Sequence, residues 1–254
     1  CRERYNSCIL HYTDVVAQME LVRKLLSTLF PSRCLLCQKT VVAQLDNENI
    51  EICPDCLRQL PYNENSCRQC ALPLAIDLEE EVLCGRCMKN PPAFDYSYSP
   101  LRYEGDIVRL VHQLKFNEKI TVSRSLSEIM LKYLSIKMAE QGESHSNSPD
   151  CLLPVPLHNS RLRQRGFNQS IELARVVAKQ LNIPIEFDAI SRRRSTTSQM
   201  GLDAKQRRKN IKGAFLVVKE VSARHVLIID DVMTTGSTVD ELARTLKKSG
   251  VEKV

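Results

Sequence analysis

"VLIIDDVMTTGSTVDELARTL", residues 226–246, governs how the rest of the chain is read. Val226 to Ile229 are four consecutive apolar residues, the pattern of a short buried strand. Asp230 and Asp231 close that strand. "MTTGST", 233–238, follows, with hydroxyls at Thr234, Thr235, Ser237 and Thr238 around Gly236. "TVDELARTLKKSG", 238–250, then carries a helical apolar stripe, and Gly250 supplies its stop. Two adjacent carboxylates at the end of a buried strand repel each other and resist low dielectric. Either a ligand uses them or they merely start a turn.

The same alternation extends in both directions. "CLLPVPLH" (151–158), "GAFLVV" (213–218) and "HVLIID" (225–230) are expected to be strands. "DIVRLVHQLKFNEK" (106–119), "SRSLSEIMLKYLSIKMAE" (123–140) and "NQSIELARVVAKQL" (168–181) have helical stripes. Strands alternating with helices predict an α/β domain with a mainly parallel sheet and flanking helices. In such sheets ligands bind beyond the C-terminal strand ends. Asp230 and Asp231 lie at that edge, and "CLLPVP" delivers "LHNSRLRQRGFNQS" (157–170) to it as well.

The loop after the aspartates has the parts of a phosphate cradle. Gly236 opens backbone conformations closed to other residues, and the next helix offers its positive N-terminal end. It is not a Walker loop, because GxxxxGK[ST] is absent. Helix capping by Thr or Ser accounts for such a turn equally well when it is taken alone. The aspartates add the missing half. Carboxylates accept hydrogen bonds from hydroxyls or approach a magnesium ion. A phosphate beside vicinal hydroxyls describes a ribose 5-phosphate.

Eight of the eleven cysteines form four CxxC pairs: Cys34 and Cys37, Cys53 and Cys56, Cys67 and Cys70, Cys84 and Cys87. Each pair places two thiolates on one tight turn, which suits two corners of a tetrahedral zinc. Four pairs supply two closed sites of four sulfurs each. A disulfide framework calls for an oxidising compartment and a signal peptide, and an iron–sulfur cluster usually has tighter spacing. Two structural zincs are the better account. Sequential pairing is favoured, with a cross-braced arrangement left open. Cys1, Cys8 and Cys151 stand outside the pairs.

Composition sets the frame. A hydrophobic fraction of 43% and a charged fraction of 26% are those of an ordinary globular protein. No apolar run reaches the roughly 18 residues of a membrane helix, so no membrane insertion and a cytoplasmic location are expected. Residues 1–18 precede Met19, a better natural beginning, and are expected to be a non-native or disordered extension. Residues 19–90 are expected to hold an N-terminal helix and the paired cysteines, and 91–254 the α/β domain. The chain stops at Val254 where a strand is starting, so truncation is expected there. Between Arg161 and Arg224 there are 15 Lys or Arg against 5 Asp or Glu. Such an excess marks a surface for phosphates or nucleic acid, although "RRR" at 192–194 also reads as a solvated turn. The five histidines are scattered and read as structural or exposed.

"VLIIDDVMTTGST" resembles the 5-phosphoribosyl 1-pyrophosphate (PRPP) motif of type I phosphoribosyltransferases: an apolar strand, two acids, then TTGxT. The four CxxC pairs, "LKF" (114–116), "PVPLHNSRLRQRGFNQS" (154–170), and "TTSQMGLDAKQRRKN" (196–210) followed by "GAF" together resemble the ComF/GntX family. That family joins a double zinc ribbon to a phosphoribosyltransferase-like domain and is linked to competence for DNA uptake. The resemblance implies that Asp230 and Asp231 bind the ribose 2′- and 3′-hydroxyls. It implies that Thr234, Thr235, Gly236, Ser237 and Thr238 hold the 5-phosphate. Arg165 and Gly166 fall in the pyrophosphate-binding loop, and Asp230, Asp231 and Arg165 are the catalytic candidates. Residues 192–213 fall where these enzymes keep a mobile loop over the reacting centre, with Gln199, Arg207 and Asn210 as its candidates. The implied cofactors are two structural zinc ions and Mg2+ with PRPP. The implied partners are single-stranded DNA and DNA-uptake or helicase proteins. Two functions follow: phosphoribosyl transfer, or single-stranded-DNA binding with a regulatory PRPP site.

Overall fold

A computed structural model describes residues 32–41, 50–75, 82–116, 120–140, 148–194 and 204–254. The chain divides into two compact units, Cys1–Gln59 and Leu60–Val254. The expected N-terminal helix, the extension 1–18 and Gln199 lie outside the described residues. No helix among the described residues is long and apolar enough to cross a membrane.

Among its described residues the first unit has one short helix, α1 (Pro54–Arg58), opened by a proline at its first turn. Proline suits that position because its missing N–H is an orphan there anyway. The second unit begins with the third and fourth cysteine pairs. Their helix, α2, spans Gly85–Lys89. An extended strap, residues 91–104, leads to α3 (Asp106–Phe116) and α4 (Ile120–Glu140).

The α3 stripe buries Ile107, Leu110, Val111 and Leu114, the i, i+3, i+4, i+7 spacing of one helix face. The inner face of α4 is different, because Ser123, Ser125 and Ser127 are buried beside Val122, Leu126 and Ile129. Small side chains let a neighbouring backbone approach. Ser127 Oγ donates to the carbonyl of Leu173, 3.2 Å away in the next long helix.

Strand β1 (Cys151–Pro154) is buried at every position. Helix α5 (Asn159–Arg165) follows, then α6 (Gln169–Leu181). Strand β2 (Ile190–Arg192), helix α7 (Ala204–Ile211), strand β3 (Phe215–Val217), strand β4 (Val226–Ile229) and helix α8 (Ser237–Lys248) complete the unit. β1 and β4 pair in parallel, with Cys151 opposite Val226 and Pro154 opposite Ile229. Parallel bridges at Leu152–Ile185 and His225–Lys253 flank that pair on either side. β3 is the exception to the expected parallel order. It pairs antiparallel with β2, Ile190 opposite Val217, and forms a hairpin-like ladder around the segment expected to be mobile.

Helix α8 lies over the sheet with Leu242, Ala243 and Leu246 fully buried. Burying one leucine contributes about 1.5–3 kcal/mol, so the helix that follows the hydroxyl loop is firmly seated. Its core is shared with Cys67, Cys70, Cys84, Cys87 and Phe94. The second set of cysteines is thus part of the same packed interior as β1, β4 and α8.

Candidate functional site

The thiols assemble in two groups, Cys34, Cys37, Cys53, Cys56 and Cys67, Cys70, Cys84, Cys87, each with its sulfurs within 4.8 Å of one another. Pairing is therefore sequential. Cys37 and Cys53 sulfurs are 3.6 Å apart, and those of Cys70 and Cys84 3.7 Å. Four sulfurs at zinc–sulfur bond length around a tetrahedral ion would be about 3.8 Å apart. Backbone N–H groups support the ligands: Cys53 N–H donates to Cys34 Sγ, and Cys84 N–H to Cys67 Sγ. Burial alone would raise the Cys34 thiol, but the N–H groups of Cys53, Cys37 and Leu36 outweigh it and hold it at about 6. Cys67 is held at about 7 in the same way, by the N–H groups of Cys84, Cys70 and Gln69 against its burial. Those donors favour thiolate, and thiolate favours a metal; Cys56, Cys70 and Cys87 shift the other way, raised by burial first and by neighbouring thiols. Both groups fit structural zinc, closed with four sulfurs and leaving no position for water. Cys151 is buried on β1, and burial pushes its thiol up to about 11, with Glu186 and Asp150 adding to it.

Beyond the C-terminal ends of β1 and β4, four segments converge. Asp230 and Asp231 follow β4 directly. Asn168 caps α6 by accepting from Ser170 N–H at 3.0 Å, and its Nδ2 donates to the carbonyl of Val155 after β1. Ser170 Oγ then donates to Asp230 Oδ1 at 3.3 Å. The end of β1, the start of α6 and the first aspartate are thereby tied together. Asp230 is only half-buried by surface, yet it is densely surrounded. That enclosure first, and the charge of Asp231 second, push its carboxyl up to about 8. Asp231 has a different partner: Lys115 Nζ, from the last turn of α3, stands 3.0 Å from its Oδ2. From sequence Lys115 either reaches the site or ends a packed helix, and the structure brings it beside Asp231.

The hydroxyl loop ends on α8. Gly236 is the cap residue, at φ 69°, and no side chain caps the helix from that position. Thr235 Oγ1 lies 2.8 Å from Ser237 Oγ and accepts weakly from Ser237 N–H at 3.4 Å. The cap position itself is a glycine, and Thr235 supplies only this long contact to the first turn. Without a side chain from the cap residue, the first turn of α8 keeps donors suited to an anion. Ser237 and Thr238 are the first two residues of α8, and Thr234 is exposed on the loop.

On the β1 side, His158 caps α5 through Nδ1, and Gly166 ends it at φ 79°. Arg165 is the last residue of α5, so the sequence "RQRG" is a helix end with its arginines grouped. Burial first and then Arg165 lower the Arg161 guanidinium. Arg192, on β2, is buried and held at about 10, by burial first and then by Arg161, against the pull of Asp230. Its guanidinium also sits 5.6 Å from the centre of the Phe215 ring. Arg192 is thus no solvated turn. Strand alternation could have found it, since it shares a face with buried Ile190. Arg207 and Asn210 both belong to α7, which packs on α8.

One contact has no counterpart in the sequence pattern. Arg86, from the turn between Cys84 and Cys87, donates to the carbonyl of Thr235 at 2.8 Å.

Parallel strands thus end at a carboxylate pair, a hydroxyl loop and a helix N-terminus, and two thiol clusters suited to zinc precede them in sequence. Residues 25–88 match the double zinc ribbon domain family, and residues 168–254 match the phosphoribosyl transferase domain family. DNA utilization protein YhgH of Escherichia coli O157:H7 is 34% identical over 224 residues, covering 88% of this chain and 94% of that protein. The protein of the same name from Salmonella typhimurium strain LT2 gives the same identity and coverage. Competence protein F of Haemophilus influenzae is 32% identical over 232 residues, 89% of this chain and 95% of that protein. The chain belongs to the ComF/GntX family with these relatives.

Proposed function

We propose that the chain binds PRPP with Mg2+ and transfers its phosphoribosyl group in the service of DNA uptake and natural transformation. The observation that carries this reading is the convergence at the sheet edge. Two carboxylates, one tied to Ser170 and one to Lys115, stand next to a helix N-terminus capped by a glycine. Asp230 and Asp231 take the ribose 2′- and 3′-hydroxyls. Thr234 to Thr238 take the 5-phosphate with hydroxyls and N–H groups. Arg165 and the backbone at Gly166 take the pyrophosphate, joined by Arg161 and Arg192. By the family resemblance, Gln199, Arg207 and Asn210 are the candidates of the flexible loop, Gln199 lying outside the described residues.

In the transfer, the bond from C1 of the ribose to pyrophosphate breaks and the electron pair leaves with pyrophosphate. The acceptor's lone pair forms the new bond to C1, and its proton leaves. Mg2+, when bound with the pyrophosphate, neutralises the leaving group. The grouped arginines do the same from the protein, and the aspartate charge favours the cationic sugar.

A second reading keeps PRPP as a regulatory ligand of a single-stranded-DNA-binding competence factor. The basic excess between Arg161 and Arg224 favours it. Titration calorimetry with PRPP and Mg2+, with and without single-stranded DNA, tests both. Transfer predicts pyrophosphate release when an acceptor is supplied. Regulation predicts a PRPP affinity that DNA changes, without release. DNA affinity should fall with added salt; a flat profile would count against phosphate contacts by the basic surface.

A further inference from the structure

The turn that carries the fourth cysteine pair also touches the phosphate loop. Arg86 lies between Cys84 and Cys87, ligands of the second thiol cluster. Its guanidinium is near enough to the sulfurs of Cys70, Cys87 and Cys84 to interact with them electrostatically. Its Nη1 donates to the carbonyl of Thr235 at 2.8 Å. A four-thiolate zinc site carries net negative charge, so a cation held against it is well placed.

The consequence for the loop follows from peptide geometry. In a trans peptide the C=O and the next N–H point in opposite directions, and the structure has no cis peptide among its described residues. Pinning the Thr235 carbonyl toward the cysteine turn therefore aims the Gly236 N–H the other way, to the opposite face of the loop. The strap after the cluster acts on the same element. The Phe94 ring lies under Gly236, with Cζ 3.7 Å from where a Cβ would sit. Ala93 N–H donates to Asp240 Oδ1 at 2.6 Å in the first turn of α8. Gln69, inside the third cysteine pair, donates through Nε2 to the Phe94 carbonyl. The cluster thus reaches the loop by two routes, one through Arg86 and one through Gln69 and Phe94.

We propose that the second cysteine cluster is the anchor of the sugar-phosphate loop and that Arg86 is its positioning residue, setting the orientation of the Thr235–Gly236 peptide for an incoming phosphate. This deepens the PRPP reading and rests on it for the identity of the ligand. Arg86 touches no ligand in this account. It works through the backbone of the loop.

The test uses the full chain and the variants Arg86→Ala and Arg86→Lys. Three quantities are measured: zinc per chain, hydrogen exchange of the amides at 235–239 compared with those at 244–248, and PRPP affinity with Mg2+ by calorimetry. Arg86→Ala should keep its zinc, exchange faster at 235–239 alone, and bind PRPP about tenfold more weakly, as expected for loss of one charge-assisted hydrogen bond. Arg86→Lys, which keeps one donor, should recover part of both losses. Unchanged loop exchange in Arg86→Ala overturns the proposal, whatever happens to affinity. A wild-type chain that binds no PRPP refutes the ligand reading, while the exchange comparison still decides the anchor. A variant that loses zinc or unfolds globally is replaced by Phe94→Leu, which leaves every cysteine and Arg86 in place. It should speed exchange at 235–239, and no change there overturns the anchor.

Discussion

Asp230→Asn should change how stability depends on pH, and the direction is fixed by the site. In the folded chain the Asp230 carboxyl is raised from 3.8 to about 8, by burial first and by Asp231 second. Unfolded, it titrates near its ordinary value. Between those two values the folded state holds a proton at this position that the unfolded state has released. Stability contributed by that proton is present in full below the ordinary value and is lost as pH rises through the raised one. One proton corresponds to about 1.4 kcal/mol per pH unit. From about pH 6 to about pH 7 the wild type should lose about 1.4 kcal/mol that Asp230→Asn does not lose. For a unit of this size that is a relative shift in Tm of about 3–6 °C. Thermal melts of both proteins across that range supply the comparison, and the difference between them cancels the titrating groups that do not interact with Asp230. Asp231→Asn should retain a slope over a narrower window, because burial remains after the like charge has gone. Parallel profiles for wild type and Asp230→Asn would refute the enclosed, charge-opposed carboxyl.

Gly236→Ala should cost about 1–2 kcal/mol in Tm-derived stability, from the φ of 69° and not from crowding, since the new methyl meets Met233 and Phe94 only at 3.7 Å. Phe94→Ala should destabilise the second unit by about 3–5 kcal/mol, because Phe94 is 2% exposed at the centre of the shared core; denaturant melts measure it. Cys34→Ser should lower zinc from about two to about one per chain by metal analysis; an iron absorbance in the wild type would overturn the assignment of both clusters.

The strand, the aspartates, the loop and α8 were legible because each is a local pattern: an apolar run, a glycine among hydroxyls, and a stripe at helical spacing. The CxxC pairs were legible for the same reason, and the structure then selects sequential pairing over cross-bracing. Helix α5 was harder, since "NSRLRQR" offers one apolar residue and its ends are set by His158 and Gly166. The antiparallel pairing of β3 with β2 depends on residues far apart in sequence. Arg86 was hidden for a related reason, and Lys115, readable either as reaching the site or as a packed helix end, and Arg192 were ambiguous for it. Each is a cation whose meaning depends on what the fold places opposite it. Lys115 sits at the end of an apolar helix, Arg192 in a basic run and Arg86 in a cysteine turn. Nothing in those surroundings names Asp231, Asp230 or Thr235.

The central claim is that Asp230 and Asp231 form the ribose half of a PRPP site. Calorimetric titration of PRPP with Mg2+ into the wild type and into the Asp230→Asn/Asp231→Asn double variant tests it most directly. Binding by the wild type should be saturable and should weaken at least about tenfold in the variant, the size expected when a hydrogen bond to the charged Asp231 and one to the Asp230 carboxyl are both weakened. Equal affinity in the two proteins would contradict it.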